Sequence, residues 1–387
     1  MPASERRTST SGAGNAATRF PAPGPRSLAA LWRTAVAVTR RTPPAPAALV
    51  LMAAFAIAVI SLFGRFDAVT KHDRFSIAFG PWPGFDVLAL ADDDTFSDAQ
   101  GRTIMERHGE RVHLVRLSSQ FDATRAVSRG DVDAAFTSVS DLALNPAASD
   151  DLVIVLITNV SDGADGLIAR AGFDRLADLR GRTIGAKRGA IDELILAEAL
   201  ASASPPLKLE DVTVRDGANE VVAEWFLEGH VDAAALWEPT LSDLVERVDG
   251  KVLYRTSAEH TLVIDCMVVR RETLERERDR VEALIAAWFD VQALVRERPD
   301  EAFAAIGTTL GCDGADFAAA FAGLRPGDER LNERLLVRGG LSERLDALAA
   351  GLRDMGVEAT PSCFQFDGSA VEAASSARRT IVAGAAR

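Results

Sequence analysis

Hydrophobic and polar positions divide this chain into three regimes. Residues 1–46 carry scattered apolar side chains among Ser, Thr, Ala, Pro and Arg, with no period. Such a stretch buries too little apolar surface to offset its conformational entropy and reads as a disordered tail. Ala47 to Gly64, AALVLMAAFAIAVISLFG, is an unbroken apolar run of 18 residues. As a helix it would span about 27 Å, close to the hydrocarbon thickness of a bilayer. From residue 74 onward the pattern changes to short apolar runs alternating with amphipathic stretches.

Those later segments predict strands and helices in turn. Arg74–Phe79 and His113–Ser118 have strand character. Ser119–Gly130 reads as a helix, with Ser119 or Asp122 as cap, Phe121, Ala126 and Val127 on one face, and Gly130 as its stop. Asp151–Asn159 is almost wholly apolar, as expected of a strand covered on both faces. Gly181–Asp192 predicts a strand, a glycine loop and a helix start; a strand at Asp211–Gly217 and a helix at Ala218–Gly229 follow. Thr261–Arg270 is a further strand. Val281–Gly307 has apolar residues at three- and four-residue spacing, with Pro299 dividing two helices.

Within this pattern one motif is used twice. Gly130–Ser140 reads GDVDAAFTSVS, and Gly229–Pro239 reads GHVDAAALWEP. Both halves run strand, loop, helix, strand, helix, Gly, then the V-D-A-A strand. We therefore expect an α/β protein of two lobes, each with a mostly parallel sheet. In open α/β sheets ligands sit beyond the carboxyl ends of the strands. The copies agree where they would be core. They differ at those ends, Thr137-Ser138-Val139-Ser140 against Trp237-Glu238-Pro239.

Charge refines this picture. The net charge is −13, yet residues 1–41 hold seven Arg and one Glu. The remainder is thus more acidic than the total, which argues against nucleic acid as a partner. All seven tail arginines precede the apolar run, so the positive-inside rule keeps the tail in the cytoplasm and exports the body. Residues 47–64 are then a transmembrane helix that anchors the protein in the inner membrane, or a signal segment removed on export. Cys266, Cys312 and Cys363 form no CxxC and have no His pair beside them, so one or two of them read as buried thiols, with a single disulfide left open.

The body resembles the periplasmic substrate-binding proteins of the nitrate/sulfonate/taurine ABC transporter class, a group that includes relatives binding thiamine-pyrimidine precursors. The matching segments are Pro81–Ala91, the first V-D-A-A segment, Asp151–Arg170, Leu176–Leu200, Phe226–Ser242 and Ile264–Leu274. The resemblance covers roughly residues 74–360 and implies a two-lobed periplasmic-binding-protein fold of type II, here preceded by the transmembrane helix. It puts crossovers near Asn159–Ile168 and Leu262–Val269. Lobe one then comprises residues 74–160 and 268–350, lobe two 161–265, with a C-terminal helical segment over 351–387. A monomer in the periplasm would capture a small polar or anionic solute, such as a sulfonate or nitrate, and deliver it to an ABC permease in the inner membrane. The alternative is a membrane-tethered ligand sensor or scaffold. The relatives that synthesise the pyrimidine use a Cys-rich motif, absent here.

Candidate ligand-binding residues follow from position and chemistry. Trp82 offers a flat wall and one N–H donor from a tight Pro-Gly loop. Ser118 and Ser119 precede a helix start, and Ser138 ends the first V-D-A-A strand. Asp162 and Asp165, near the first crossover, are carboxylates for a ligand amine or fix a turn. Arg188, Gly189 and Ala190, beside Lys187, form an anion-favouring helix start or a surface basic turn. Asn219 opens the next helix as donor or cap; Trp237 gives a second wall, and Glu238 a partner for a cationic group. Asp265, at the second crossover, reads as structural. The chain has no GxSxG, HExxH, Walker loop or GxGxxG, so we expect neither an enzyme nor a cofactor or metal site.

Overall fold

Ten buried residues in a row, Leu152–Ser161, form the strand around which the first half of the molecule is built. The computed structural model describes residues 74–145, 149–358 and 364–385. The apolar run at 47–64 and Cys363 lie outside them. Among the described residues no helix is long and apolar enough to cross a membrane. All belong to one compact unit, His72–Arg387.

In chain order the strands are β1 (Phe75–Phe79), β2 (Val112–Arg116), β3 (Ala134–Ser138), β4 (Leu152–Ser161), β5 (Asp165–Arg170), β6 (Thr183–Ala186), β7 (Thr213–Asp216), β8 (Ala233–Trp237), β9 (Gly250–Arg255), β10 (Ile264–Arg270) and β11 (Leu324–Pro326). The helices used below are α1 (Gln120–Arg129), α2 (Val139–Leu144), α3 (Ile191–Ala201), α4 (Asn219–Glu228), α5 (Thr240–Arg247), α6 (Arg278–Glu297), α7 (Pro299–Leu310), α8 (Gly314–Phe321), α9 (Gly340–Asp354) and α10 (Ser369–Ala385). Two sheets result, ordered β11-β4-β10-β3-β1-β2 and β7-β6-β8-β5-β9.

Each sheet contains a parallel trio, β2-β1-β3 and β7-β6-β8. Next to each trio lies an antiparallel strand, β10 against β3 and β5 against β8. The expectation of mostly parallel sheets therefore needs correcting: both are mixed. The cause is the crossover. A strand that arrives from the other sheet enters at the carboxyl ends of the trio and must run back along it. The sequence pattern also passes over β9, which is only half-buried, and β11, which has three residues.

Local chemistry explains why the duplicated segments fold alike. The side chain of Ser119 caps α1 by accepting the N–H of Asp122 at 3.1 Å. Gly130 and Gly229 end α1 and α4 at φ of 76° and 78°, a left-handed conformation that costs glycine nothing. Alternate residues of the second sheet feed two separate cores. Leu167, Ala169, Ala233 and Ala235 face Leu196 and Leu200 of α3. Ile168, Ala234 and Leu236 face Val222 and Phe226 of α4 and Leu241 and Leu244 of α5. A period of two with both faces covered is what makes these strands apolar throughout.

The first sheet has a larger core, into which α6 inserts Trp288. The Trp288 ring meets Phe136 edge-on at 5.4 Å, and its Nε1 donates to the Gly327 carbonyl at 2.9 Å. The segment 351–387 holds the end of α9 and all of α10, and α10 contributes Ala370, Val371 and Ala374 to this same core.

Candidate functional site

The carboxyl ends of the two parallel trios approach each other across one gap. The loop after β1 supplies Trp82, and β8 ends in Trp237. Their rings lie 5.9 Å apart at 75°, edge to face. The indole Nε1 of Trp82 donates to Asn159 Oδ1 at 3.3 Å. A side chain at Gly84 would place its Cβ 2.3 Å from Asn159 Nδ2 and 2.9 Å from the Trp82 nitrogen. Glycine is therefore required for the loop to lie against the strand. A cavity of about 270 Å³ adjoins the indoles, lined by Trp82, Asp86, Arg116, Trp237, Glu238 and Phe317 among others. Arg116 Nη1 donates to Asp86 Oδ1 at 2.7 Å. Burial nevertheless pushes Asp86 up to about 6, against the pull of that guanidinium.

Beside the tryptophans stands a set of buried carboxyls. In the first sheet Asp265 of β10 is the register partner of Ser138, the last residue of β3. In the second, Asp165 of β5 is the register partner of Trp237, the last residue of β8. Ser138 and Trp237 are equivalent positions of the repeated motif, so each return strand brings one aspartate to the same place in its sheet. Asp192 lies in the first turn of α3, which packs on β5. Asp141 lies in the first turn of α2, and its N–H donates to Ser138 Oγ at 3.0 Å.

These four carboxyls share one electrostatic environment. Asp165, Asp192 and Asp265 are buried, and Asp141 is half-buried with its carboxyl enclosed. Burial pushes Asp141 up to about 6, Asp165 up to about 7 and Asp192 up to about 8. Burial raises Asp265 well above the carboxylate range, and the charges of Asp165 and Asp141 add to it against hydrogen bonds from Trp82 and Asn159. Asp165 and Asp141 likewise raise Asp192. Oδ2 of Asp165 and Oδ1 of Asp192 are buried without a hydrogen-bond partner, a costly arrangement in a protein interior.

The residues expected from sequence divide between this gap and internal bonds. Trp82 and Trp237 line the cavity, and Asp165 and Ser138 are buried at the strand ends beside it. Asn219 supports it: Oδ1 accepts the Trp237 N–H at 3.4 Å, and Nδ2 donates to Thr240 Oγ1 at 2.8 Å. Glu238 lines the cavity, but its carboxylate accepts from the N–H and hydroxyl of Ser242 and from Arg255. Ser118 and Ser119 both donate to Asp122, at 2.7 and 2.9 Å. Asp162 accepts from the Ala258 N–H and from Arg325 at 2.9 Å each, a brace between the crossovers. At the basic helix start, the Arg188 N–H donates to Asp216 at 3.1 Å and the Gly189 N–H to Glu193 at 2.9 Å. Lys187 pairs with Asp216 at 3.0 Å, and Ala190 caps α3. The N–H groups of Arg188 and Gly189 thus already hold carboxylates.

Sequence reasoning passed over Asp141, Asp192 and Asn159 and read Asp265 as structural. The available signal was an acid inside each apolar context, one in VSDLAL and VIDCMVV and two in AIDELIL. An acid so placed is buried at a cost unless something compensates it.

Residues 106–302 match the model of the family described as NMT1/THI5 like. A provisionally named binding protein of Brucella abortus (strain 2308) is 26% identical over 206 residues, 52% of this chain and 63% of that protein. The chain therefore spans less than two thirds of the curated relatives it first matches. Among solved structures, the alkanesulfonate-binding protein SsuA from Xanthomonas axonopodis pv. citri bound to MOPS superposes with a TM-score of 0.60 at 16% identity, over 77% of this chain and 100% of that one. The desulfurization enzyme DSZB superposes with a TM-score of 0.56 at 15% identity, over 79% and 99%. At such identities the likeness is one of fold.

Proposed function

Since this chain belongs to the NMT1/THI5-like family, we propose that it is a solute-binding protein that encloses a small polar molecule between its two lobes and hands it to an ABC permease. The observation that carries the reading is the meeting of Trp82 and Trp237, one from each sheet, over buried carboxyls at the strand ends. Two sets of carboxyl ends facing one gap are the place where open α/β sheets hold ligands. The lobes in this reading are residues 74–160 with 268–350, and 161–265.

Binding rather than chemistry is our reading of the site. DSZB is an enzyme with this fold, so fold alone does not separate the two. Support comes from the thiol nearest the buried acids: burial in the core holds Cys266 well above its usual range, far from a nucleophilic thiolate, while the exposed Cys312 lines the cavity beside the indoles with no His among its lining residues. An anionic ligand draws support from the neighbour's name, while the basic helix start meant for it carries Glu193 and Asp216.

The body works in the periplasm in this proposal, tethered to the inner membrane by the apolar run at 47–64 or released by its cleavage. Tethering suits a ligand sensor as well as a transporter. Uptake by cells carrying the full-length chain, with and without its permease, tests the proposal. Ligand binding without permease-dependent uptake would replace transport by sensing, and absence of any ligand would end both readings.

A further inference from the structure

Four buried or enclosed aspartates from four different elements lie near the facing ends of the two sheets: Asp141 after β3, Asp265 at the start of β10, Asp165 at the start of β5 and Asp192 at the start of α3. Each sheet supplies one, and a helix next to it supplies another. Their proximity is electrostatic as well as topological, because Asp165 and Asp141 act on both Asp192 and Asp265. Further acids face the group from outside it: Glu198 and Glu238 act on Asp165, and Glu220 acts on Asp192.

These four carboxyls form no ion pair with the described cations nearby. The arginines and the lysine nearby are committed elsewhere, Arg116 to Asp86, Arg255 to Glu238, Arg325 to Asp162 and Lys187 to Asp216. Within the group, Asp165 is 1% exposed and Asp192 4% exposed, and each has one carboxyl oxygen with no hydrogen-bond donor. Each sheet's aspartate also has an indole beside it. Trp237 is the register partner of Asp165, and the Trp82 indole, held by Asn159, lies close enough to Asp265 to oppose the rise of its carboxyl. Buried acceptors lacking donors, beside aromatic rings, are the complement of a positively charged group carrying N–H or N–CH₃.

We propose that the cleft takes a small organic cation bearing an ammonium or amidinium group, held between Asp165 and Asp192 on one side and Asp141 and Asp265 on the other, with Trp82 and Trp237 against its carbon frame. The proposal rests on the solute-binding reading and specifies its ligand. Among the described residues no three His, Cys, Asp or Glu side chains converge as a metal site, so the fit is to an extended molecule rather than a bare ion. A sulfonate or nitrate would set its negative charge against these acids wherever any of them is ionised.

Proton linkage separates the two classes. Burial holds Asp141, Asp165 and Asp192 largely protonated up to about 6, 7 and 8. A bound cation favours their ionised forms, so it expels protons, and its affinity rises with pH across that window. A bound anion favours the protonated forms, and its affinity falls as pH rises.

The test is isothermal titration calorimetry on the full-length chain in detergent, in two buffers of different ionisation enthalpy. The probes are agmatine, putrescine and choline in one panel, ethanesulfonate and nitrate in the other. The expected result is a cationic binder that releases protons and binds at least about tenfold more tightly at pH 8 than at pH 5.5. Asp165→Asn and Asp265→Asn should each weaken it about tenfold or more. Because these variants remove a buried ionisable group, they should keep or raise the melting temperature of the ligand-free protein at pH 8, which guards against misfolding as the cause. A cationic binder indifferent to both variants would overturn the proposal. So would binding of the anions with the cations silent, which leaves the solute-binding reading intact. Silence of both panels counts against both.

Discussion

Trp82 and Trp237 come from different sheets yet meet edge to face, with ring centroids 5.9 Å apart. Each is anchored within its own lobe. Trp82 is fixed by Asn159 of β4, and Trp237 by Asn219 of α4 through its backbone N–H. The pair therefore reports on how the two lobes close. We expect Trp237→Ala to weaken ligand binding about tenfold or more, since an aromatic wall and its edge contact contribute roughly 1–2 kcal/mol. Tryptophan emission should also shift when ligand is added to the parent protein. Unchanged affinity in the variant would remove the indoles from the site.

Arg188→Ala offers the opposite expectation. Arg188 is exposed, and its backbone N–H already donates to Asp216. The neighbouring Gly189 N–H is taken by Glu193. We expect affinity within about twofold of the parent, because a solvent-screened side chain away from the gap contributes little. A tenfold loss would restore this helix start as the anion site that the sequence suggested.

Stability of the ligand-free protein should depend on pH in an unusual direction. The folded pKa of Asp165 is raised from 3.8 to about 7, and that of Asp192 from 3.8 to about 8. Between those limits the folded state holds protons that the unfolded chain has released. Stability therefore falls as pH rises from about 4 and levels off only above the folded values. Thermal melts of the full-length chain should show a melting temperature lower at pH 8 than at pH 5.5. Asp192→Asn should flatten that slope. A melting temperature that climbs from pH 5.5 to pH 8 would contradict the burial of these acids.

Much of this was legible along the chain. The V-D-A-A repeat located β3 and β8, and their last residues, Ser138 and Trp237, did come to lie at the gap. Glycine stops and the Ser119 cap set the ends of α1 and α4 because those signals are local. Strand β11 was hidden because it is short, and β9 because it is only half-buried and mixes Lys and Arg among its apolar residues. The acid group was hidden for a different reason. Asp141, Asp165, Asp192 and Asp265 are spread over more than a hundred residues, and only the return of two strands from the opposite lobe gathers them. Likewise nothing local shows that Asp162 has Arg325 and the Ala258 N–H as partners.

Asn332 supplies a last test, aimed at the scaffold rather than the site. Strand β11 pairs with β4 only at Asn159–Ser161, which leaves Ile157 beyond its end. The amide of Asn332 takes over there. Its Oδ1 accepts the Ile157 N–H at 2.7 Å, and its Nδ2 donates to the carbonyls of Ile157 at 2.9 Å and Gly327 at 3.1 Å. A buried side chain thus does for β4 what another strand would do. Asn332→Leu is close in volume but leaves the Ile157 N–H buried and unpaired, at a cost of about 2–4 kcal/mol. Asn332→Asp keeps the acceptor but sets a carboxylate against the Ile157 and Gly327 carbonyls, so it should destabilise comparably and recover in acid as the carboxyl protonates. Denaturant unfolding of the full-length chain measures both. Ligand affinity of whatever remains folded should match the parent, because Asn332 is absent from the gap. A loss below about 0.5 kcal/mol in both variants would show that the amide is a spectator and that β10 and β11 hold β4 without it.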